Sequence, residues 1–204
     1  KKDNIIFWDI GANIGLYSIY NAIKNENSIT ISFEPSTSNL RVLSRNISIN
    51  NLDNKIKLFP LPLTNHENSF LPMHEKDFVE GGALNAFGKN LDFEGKEFKS
   101  EMKYNLFGTS INFLLKNQIL EIPDYVKIDV DGLEHLILDG ANEYLGNKKI
   151  KSLSIEINEN FKDQFEKVII TMKKYGFKVF SKNQNKELSN SENFKKVFNY
   201  IFIR

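Results

Sequence analysis

Cysteine is absent from this 204-residue sequence. That excludes a disulfide scaffold, a thiolate zinc site and a thiol nucleophile. Histidine is nearly absent: His66, His74 and His135 are the three, and no H-x-x-x-H spacing joins them. Excess charge of either sign is also lacking, with 27 Lys+Arg against 26 Asp+Glu and a net charge of +1. No basic field exists to hold a phosphate polymer, so nucleic acid is not an expected partner. No apolar run approaches the ~20 residues needed to span a bilayer. The opening KKDNIIFWDIG has too short an apolar run for a secretory leader and no small-residue cleavage site, so a cytoplasmic protein is expected. A strand begins almost at once, and the chain reads as a trimmed part of something longer.

What remains is an ordinary globular composition, 41% hydrophobic and 26% charged. The length suits one domain over residues 1–204 with its own buried core. Short apolar runs rich in β-branched and aromatic residues alternate with amphipathic stretches. Strands are expected at 5–10, 29–35, 56–61, 125–130, 152–157, 177–181 and 197–203. Helices are expected after Gly15, from Ser36 as N-cap to about Asn50, from about Leu133 to Leu145, and from about Lys162 to Tyr175. This alternation predicts an α/β doubly wound, mostly parallel sheet with helices on both faces. The last two strands, joined by the polar NQNKELSNSENFKK, are expected to form an antiparallel hairpin. The stretch from about Asn65 to Phe107 breaks the rhythm with four glycines and many charges, and EFKSEMKYN within it reads as a short strand. An insertion of that length is either a lid or substrate wall, or a solvated β-excursion.

The most informative segment is WDIGANIG, residues 8–15. A strand ends at Asp9, Gly11 and Gly15 stand four apart around Ala12 and Asn13, and a helix opens. Gly11 allows a tight turn and a close backbone approach to a ligand, and Gly15 lets the helix start close to the strand. The helix start presents unpaired N–H groups. A dinucleotide fingerprint needs G-x-G-x-x-G, which is not what stands here. Asp9 before the turn repels a pyrophosphate and attracts an ammonium. Glu34, followed by Pro35, comes 19 residues after Gly15 at the end of the second strand, where an acid accepts the two hydroxyls of a ribose. A ligand joining an amino acid to a nucleoside satisfies both demands, and S-adenosylmethionine fits. The glycine turn alone is a weak signal, since many strand–helix turns carry glycine for packing.

DIGANIG (9–15), FEPSTSNLRVLSRNISIN (33–50) and above all KIDVDGLEHLILDGA (127–141) resemble the FkbM-type methyltransferases, and SLSIEIN (152–158) is similar to that family's next strand. Asp131 stands where the family more often has Glu, which keeps the charge and shortens the reach. The resemblance implies a Rossmann-like class I methyltransferase fold of seven strands, the last antiparallel. It implies S-adenosylmethionine as methyl donor and O-methylation, often of sugars or of hydroxyls on secondary metabolites. The family's usual helix before the first strand is missing.

Methyl transfer needs the acceptor oxygen about 3–3.5 Å from the methyl carbon, opposite the sulfur, and a base or metal to relieve the hydroxyl of its proton. Asp129, Asp131 and Glu134 are the catalytic candidates, clustered where the fourth strand gives way to a helix. Asp129 is the first choice for base or metal ligand. If the strand continues, alternation puts Asp129 and Asp131 on one side, where they could hold Mg²⁺. Either could instead cap the following helix, with Gly132 in the turn. Glu156, set in an apolar strand, needs a partner or a substrate to contact. His135 is expected at the surface, and His66 and His74 in a solvated loop. Trp8 is expected in the core. The rival readings are an NAD-dependent Rossmann oxidoreductase, a nucleic-acid methyltransferase and a non-catalytic S-adenosylmethionine-binding module.

Overall fold

The computed structural model describes residues 4–184 and 194–204. Among them ten strands and five helices alternate in chain order. Strand β1 (Ile5–Ile10) is followed by α1 (Leu16–Lys24), and β2 (Ser28–Phe33) by α2 (Thr37–Ile49) and β3 (Ile56–Phe59). An excursion then supplies β4 (Ser69–Glu75), β5 (Ala86–Phe87) and β6 (Met102–Gly108). The chain returns through α3 (Ile111–Lys116), β7 (Tyr125–Ile128), α4 (Glu134–Asp139), β8 (Ser152–Asn158), α5 (Lys162–Lys174), β9 (Lys178–Asn183) and β10 (Val197–Ile203).

Seven strands form one sheet in the order β3-β2-β1-β7-β8-β10-β9. The pairs from β3 to β8 are parallel, whereas β10 runs antiparallel between β8 and β9. This is the expected Rossmann-like methyltransferase sheet with its last strand reversed. The β-branched and aromatic runs form its strands because both faces are covered. On one face Trp8, Ile10, Phe33, Ile128, Leu153, Ile155 and Ile157 pack under α3, α4 and α5. On the other, α1 and α2 bury Ala22, Leu43 and Ile47 with Ile56. Trp8 is fully buried, its ring 5.4 Å from that of Phe33. No helix among the described residues is long and apolar enough to cross a membrane.

Several boundaries differ from expectation. Strand β3 stops at Phe59, since Pro60 has no N–H to continue a ladder. Strand β7 stops at Ile128 and not at residue 130, because Asp131 adopts φ 57° and turns the chain away. Helix α4 ends at Asp139 instead of Leu145. There the backbone closes on Thr64, whose carbonyl oxygen lies 2.2 Å from where a Cβ on Gly140 would stand. The excursion is a second, antiparallel sheet in the order β5-β4-β6. Its third strand lies at Met102–Gly108, displaced toward the C-terminus of the expected EFKSEMKYN. The short helix α3 was not expected. Strands β9 and β10 pair as the expected antiparallel hairpin, and 185–193 of their connector lie outside the described residues.

Candidate functional site

The carboxyl ends of β1, β2 and β7 converge on one cleft, the usual place for a ligand in an open α/β sheet. A cleft there is open to solvent and lined by Gly11, Asn13, Glu34, Pro35, Asp129 and Asp131. It runs into a narrow apolar slot walled by Phe33, Leu61, Leu63, Met73 and Phe87. Gly11, Pro35, Met73, Asn85 and Val130 belong to both.

The glycine turn is built by its own hydrogen bonds. The amides of Gly11 and Ala12 both donate to the Phe33 carbonyl at 3.0 Å, and that of Gly15 donates to Ala12. Gly11 has φ 76°, and a Cβ on it would fall 1.8 Å from the Asp129 carbonyl oxygen. Its missing side chain thus serves the close approach of β1 to the turn after β7, not to a ligand. Gly15, at φ 92°, gives way to Leu43 of α2 rather than to the strand. Ala12 is buried in the small core under α1 and α2. The unpaired donors expected here are therefore not the turn's own amides. The helix ladder opens with Ile19 N–H to Gly15 C=O, which leaves the amides of residues 16–18 ahead of it.

Glu34 sits beyond the end of β2. Its two carboxylate oxygens accept the Asn13 amide at 2.7 Å and the Ser36 amide at 2.9 Å. Burial pushes its pKa up to about 7 against the pull of those amides. Helix α2 starts on the Ser36 side chain, which accepts the Asn39 amide, and this cap sets the carboxylate at the cleft.

Asp9, expected to attract a ligand ammonium, does not line the cleft. It is fully buried, accepts the Ser18 hydroxyl at 2.6 Å and lies 3.6 Å from the Lys127 ammonium. Lys127 also reaches Asp129 at 3.0 Å, and its ammonium lies 4.8 Å from the Tyr17 ring centre. Burial pulls the Lys127 pKa down, but Asp129 and Asp9 outweigh it and hold the side chain charged. A lysine in the apolar run YVKIDV was the available signal, because a buried cation requires a carboxylate partner.

Asp129 and Asp131 both line the cleft, but not by strand alternation. The left-handed turn at Asp131 brings its Oδ2 within 2.7 Å of the Leu84 amide. Burial and the neighbouring Asp129 raise the Asp131 pKa to about 7. The Mg²⁺ site expected from this pair is not built. Among the described residues no three acidic or imidazole side chains are placed to hold a metal, and the Lys127 ammonium already occupies the inner side of Asp129.

Glu134 is no member of the cleft. Fully buried, it accepts the Val130 and Gly132 amides at 2.9 and 3.2 Å and the Gln164 side-chain amide. It braces the turn that carries Asp129 and Asp131. Glu156 is partly buried on β8, opposite Asn199 of β10 and outside the cleft lining. Burial, then Asp129, Asp131 and Glu134, push its pKa well up, which favours the protonated carboxyl. His135 is buried instead of surface-exposed, 3.9 Å from Asp163, and burial and Lys167 lower its pKa to about 4. His74 is buried edge-on against Phe98, again not solvated. Asn39, Met73, Gly82 and Asn85 reach the cleft through long-range packing and carried no signal in the sequence.

Comparison with known proteins agrees with this architecture. The family model described as "Methyltransferase FkbM domain" matches residues 9–179. Methyltransferase sdnD of Sordaria araneosa is 31% identical over 156 residues, which are 66% of this chain and 60% of that protein. The chain therefore spans less than two thirds of that relative. The crystal structure of methyltransferase FkbM from Methylobacillus flagellatus KT is similar with a TM-score of 0.63 at 14% identity, over 99% of this chain and 44% of that one. M. capricolum TrmK in complex with S-adenosyl-homocysteine is similar with a TM-score of 0.55 at 13% identity, over 100% of this chain and 64% of that one. At such identities the two structures speak to the fold alone. The family match spans the glycine turn, Glu34 and the KIDVDG turn alike, and by it this chain belongs to the FkbM-domain methyltransferases.

Proposed function

We propose that this chain is an S-adenosylmethionine-dependent O-methyltransferase acting on a hydroxyl of a sugar or another small, uncharged acceptor. The observation that carries the reading is the apolar slot running into a polar cleft with the Glu34 carboxylate beside the junction. Pro35, Leu61, Leu63 and Met73 would hold a nucleobase by its faces. Glu34 would accept the ribose diol, and the free amides at the start of α1 would meet the donor's carboxylate. Bound there, S-adenosylmethionine supplies an electrophilic methyl group on a sulfonium. The buried Asp9–Lys127–Asp129 chain fixes the floor beneath it, and Lys127 offsets carboxylates that would otherwise favour the charged ground state.

Asp131 is the residue proposed to take the acceptor's proton. Its pKa of about 7 matches a base working at neutral pH. Asp129, held by Lys127, is proposed to orient the acceptor. Glu156, protonated, would donate a hydrogen bond to it. The Asp129 and Asp131 carboxylates at the cleft disfavour a phosphate-bearing acceptor and favour neutral hydroxyls.

Titration calorimetry tests the donor. We expect S-adenosylhomocysteine to bind and NAD not to bind. Glu34→Ala should weaken S-adenosylhomocysteine about 10- to 100-fold, roughly 1.4–2.7 kcal/mol. Tight NAD binding without S-adenosylhomocysteine binding would reverse the reading in favour of an oxidoreductase. Donor binding without turnover on any hydroxylated acceptor would favour a non-catalytic binding module.

A further inference from the structure

The excursion between β3 and α3 does more than cover the sheet edge. From Lys76 to Asn85 no residue is buried, so no apolar anchor holds this segment. Hydrogen bonds hold it instead, and most come from the elements that build the cleft. Asn39 of α2, only 2% exposed, grips the backbone with both ends of its amide. Its Oδ1 accepts the Gly81 amide at 2.8 Å, and its Nδ2 donates to the Gly82 carbonyl at 2.9 Å. Asn13, in the glycine turn, donates to the same Gly82 carbonyl at 3.0 Å. The Leu84 amide donates to Asp131 at 2.7 Å. Leu84 has φ 63°, a conformation disfavoured for a residue with a Cβ, so that bond holds the backbone where it would not rest alone. The exposed Arg41–Glu80 pair at 3.5 Å adds little. Gly82 and Asn85 line the cleft together with Gly11 and Glu34.

From this we infer that Gly81–Asn85 is a lid on the donor cleft, latched by Asn39, and that Asn39 is a positioning residue for donor retention. The inference rests on the donor reading above. A ligand in the cleft touches Gly82 and Asn85 only when the latch is shut, so occupancy and lid order support each other. A segment without buried side chains opens at low cost, which gives the ligand its way in. The lid's bond to Asp131 means that closing it also fixes the carboxylate proposed to take the acceptor's proton.

The test is amide hydrogen exchange on the whole chain, with and without S-adenosylhomocysteine, alongside stopped-flow dissociation. In the wild type, ligand should slow exchange across 79–85 at least tenfold, while β8 stays unchanged. In Asn39→Ala, free-protein exchange in that segment should rise, and S-adenosylhomocysteine should leave about tenfold faster at a similar association rate. Asn39→Asp, which retains the acceptor for Gly81 and loses the donor to Gly82, should fall between. Ligand binding that leaves 79–85 unprotected overturns the lid, as does an Asn39→Ala protein with a loosened segment and unchanged dissociation. The wild-type measurement stands even if the variants fail to fold. A wild type that binds no S-adenosylhomocysteine overturns the donor reading itself, and the lid with it.

Discussion

Glu34 and Glu134 belong to two strand-to-helix turns of one sheet, Glu34 directly after β2 and Glu134 at the start of α4. Each follows a parallel strand, each accepts two backbone amides, and burial pushes each up to about 7. Their surroundings separate them. Glu34 lines the cleft, whereas Glu134 closes on Gln164 inside the protein. An acid in the turn between a strand and the next helix is therefore not a functional residue by position. What its remaining lone pairs face decides whether it can serve a ligand or only its own turn.

The contrast can be broken by substitution. The largest effect is expected from Glu134→Ala, which strands two backbone donors and the Gln164 amide in the interior. Stability should fall by about 3 kcal/mol, seen in thermal melts as a drop of roughly 10 °C. The folded fraction should bind S-adenosylhomocysteine nearly as the wild type does. A lost affinity with an unchanged melt would place Glu134 in the site after all. Next comes Asp131→Asn in the same turn. Turnover on an acceptor found by screening hydroxylated compounds should drop about 100-fold, with donor affinity within about threefold. Asp129→Asn should cost less, and equal losses would divide the base role between them. The smallest effect is one of pH. Glu34 accepts both hydroxyls of a diol in charge-assisted bonds only when ionised, and its pKa in the folded protein is about 7. Donor affinity should be full above pH 8 and fall about tenfold toward pH 6 as the carboxyl takes up its proton. A flat affinity across that range would detach Glu34 from the diol.

The sheet was largely legible, because runs such as IIFWDI and SLSIEIN are too rich in β-branched and aromatic residues to be anything but covered strands. Helix α3 was not, since Ile111–Lys116 is under two turns long and shows no period. Of the residues that line the cleft, Glu34, Gly11 and Asn13 are singled out by local spacing. Glu134 misled because its partner, Gln164, lies on α5, 30 residues away. Asp131 was placed for the wrong reason, as nothing in V-D-G announces that the strand has already ended. Asn39 was beyond reach altogether. An asparagine in a helix's first turn is unremarkable until a loop more than 40 residues on is found in its grip.

Strand β10 lies between β8 and β9, although both precede it in the chain. During synthesis, β8 must wait with a bare edge and β9 with no neighbour until residue 203 has left the ribosome. Closure of this half of the sheet thus waits on the strand made last of the three, and loss of Val197–Ile203 would leave two strand edges free to pair with other molecules.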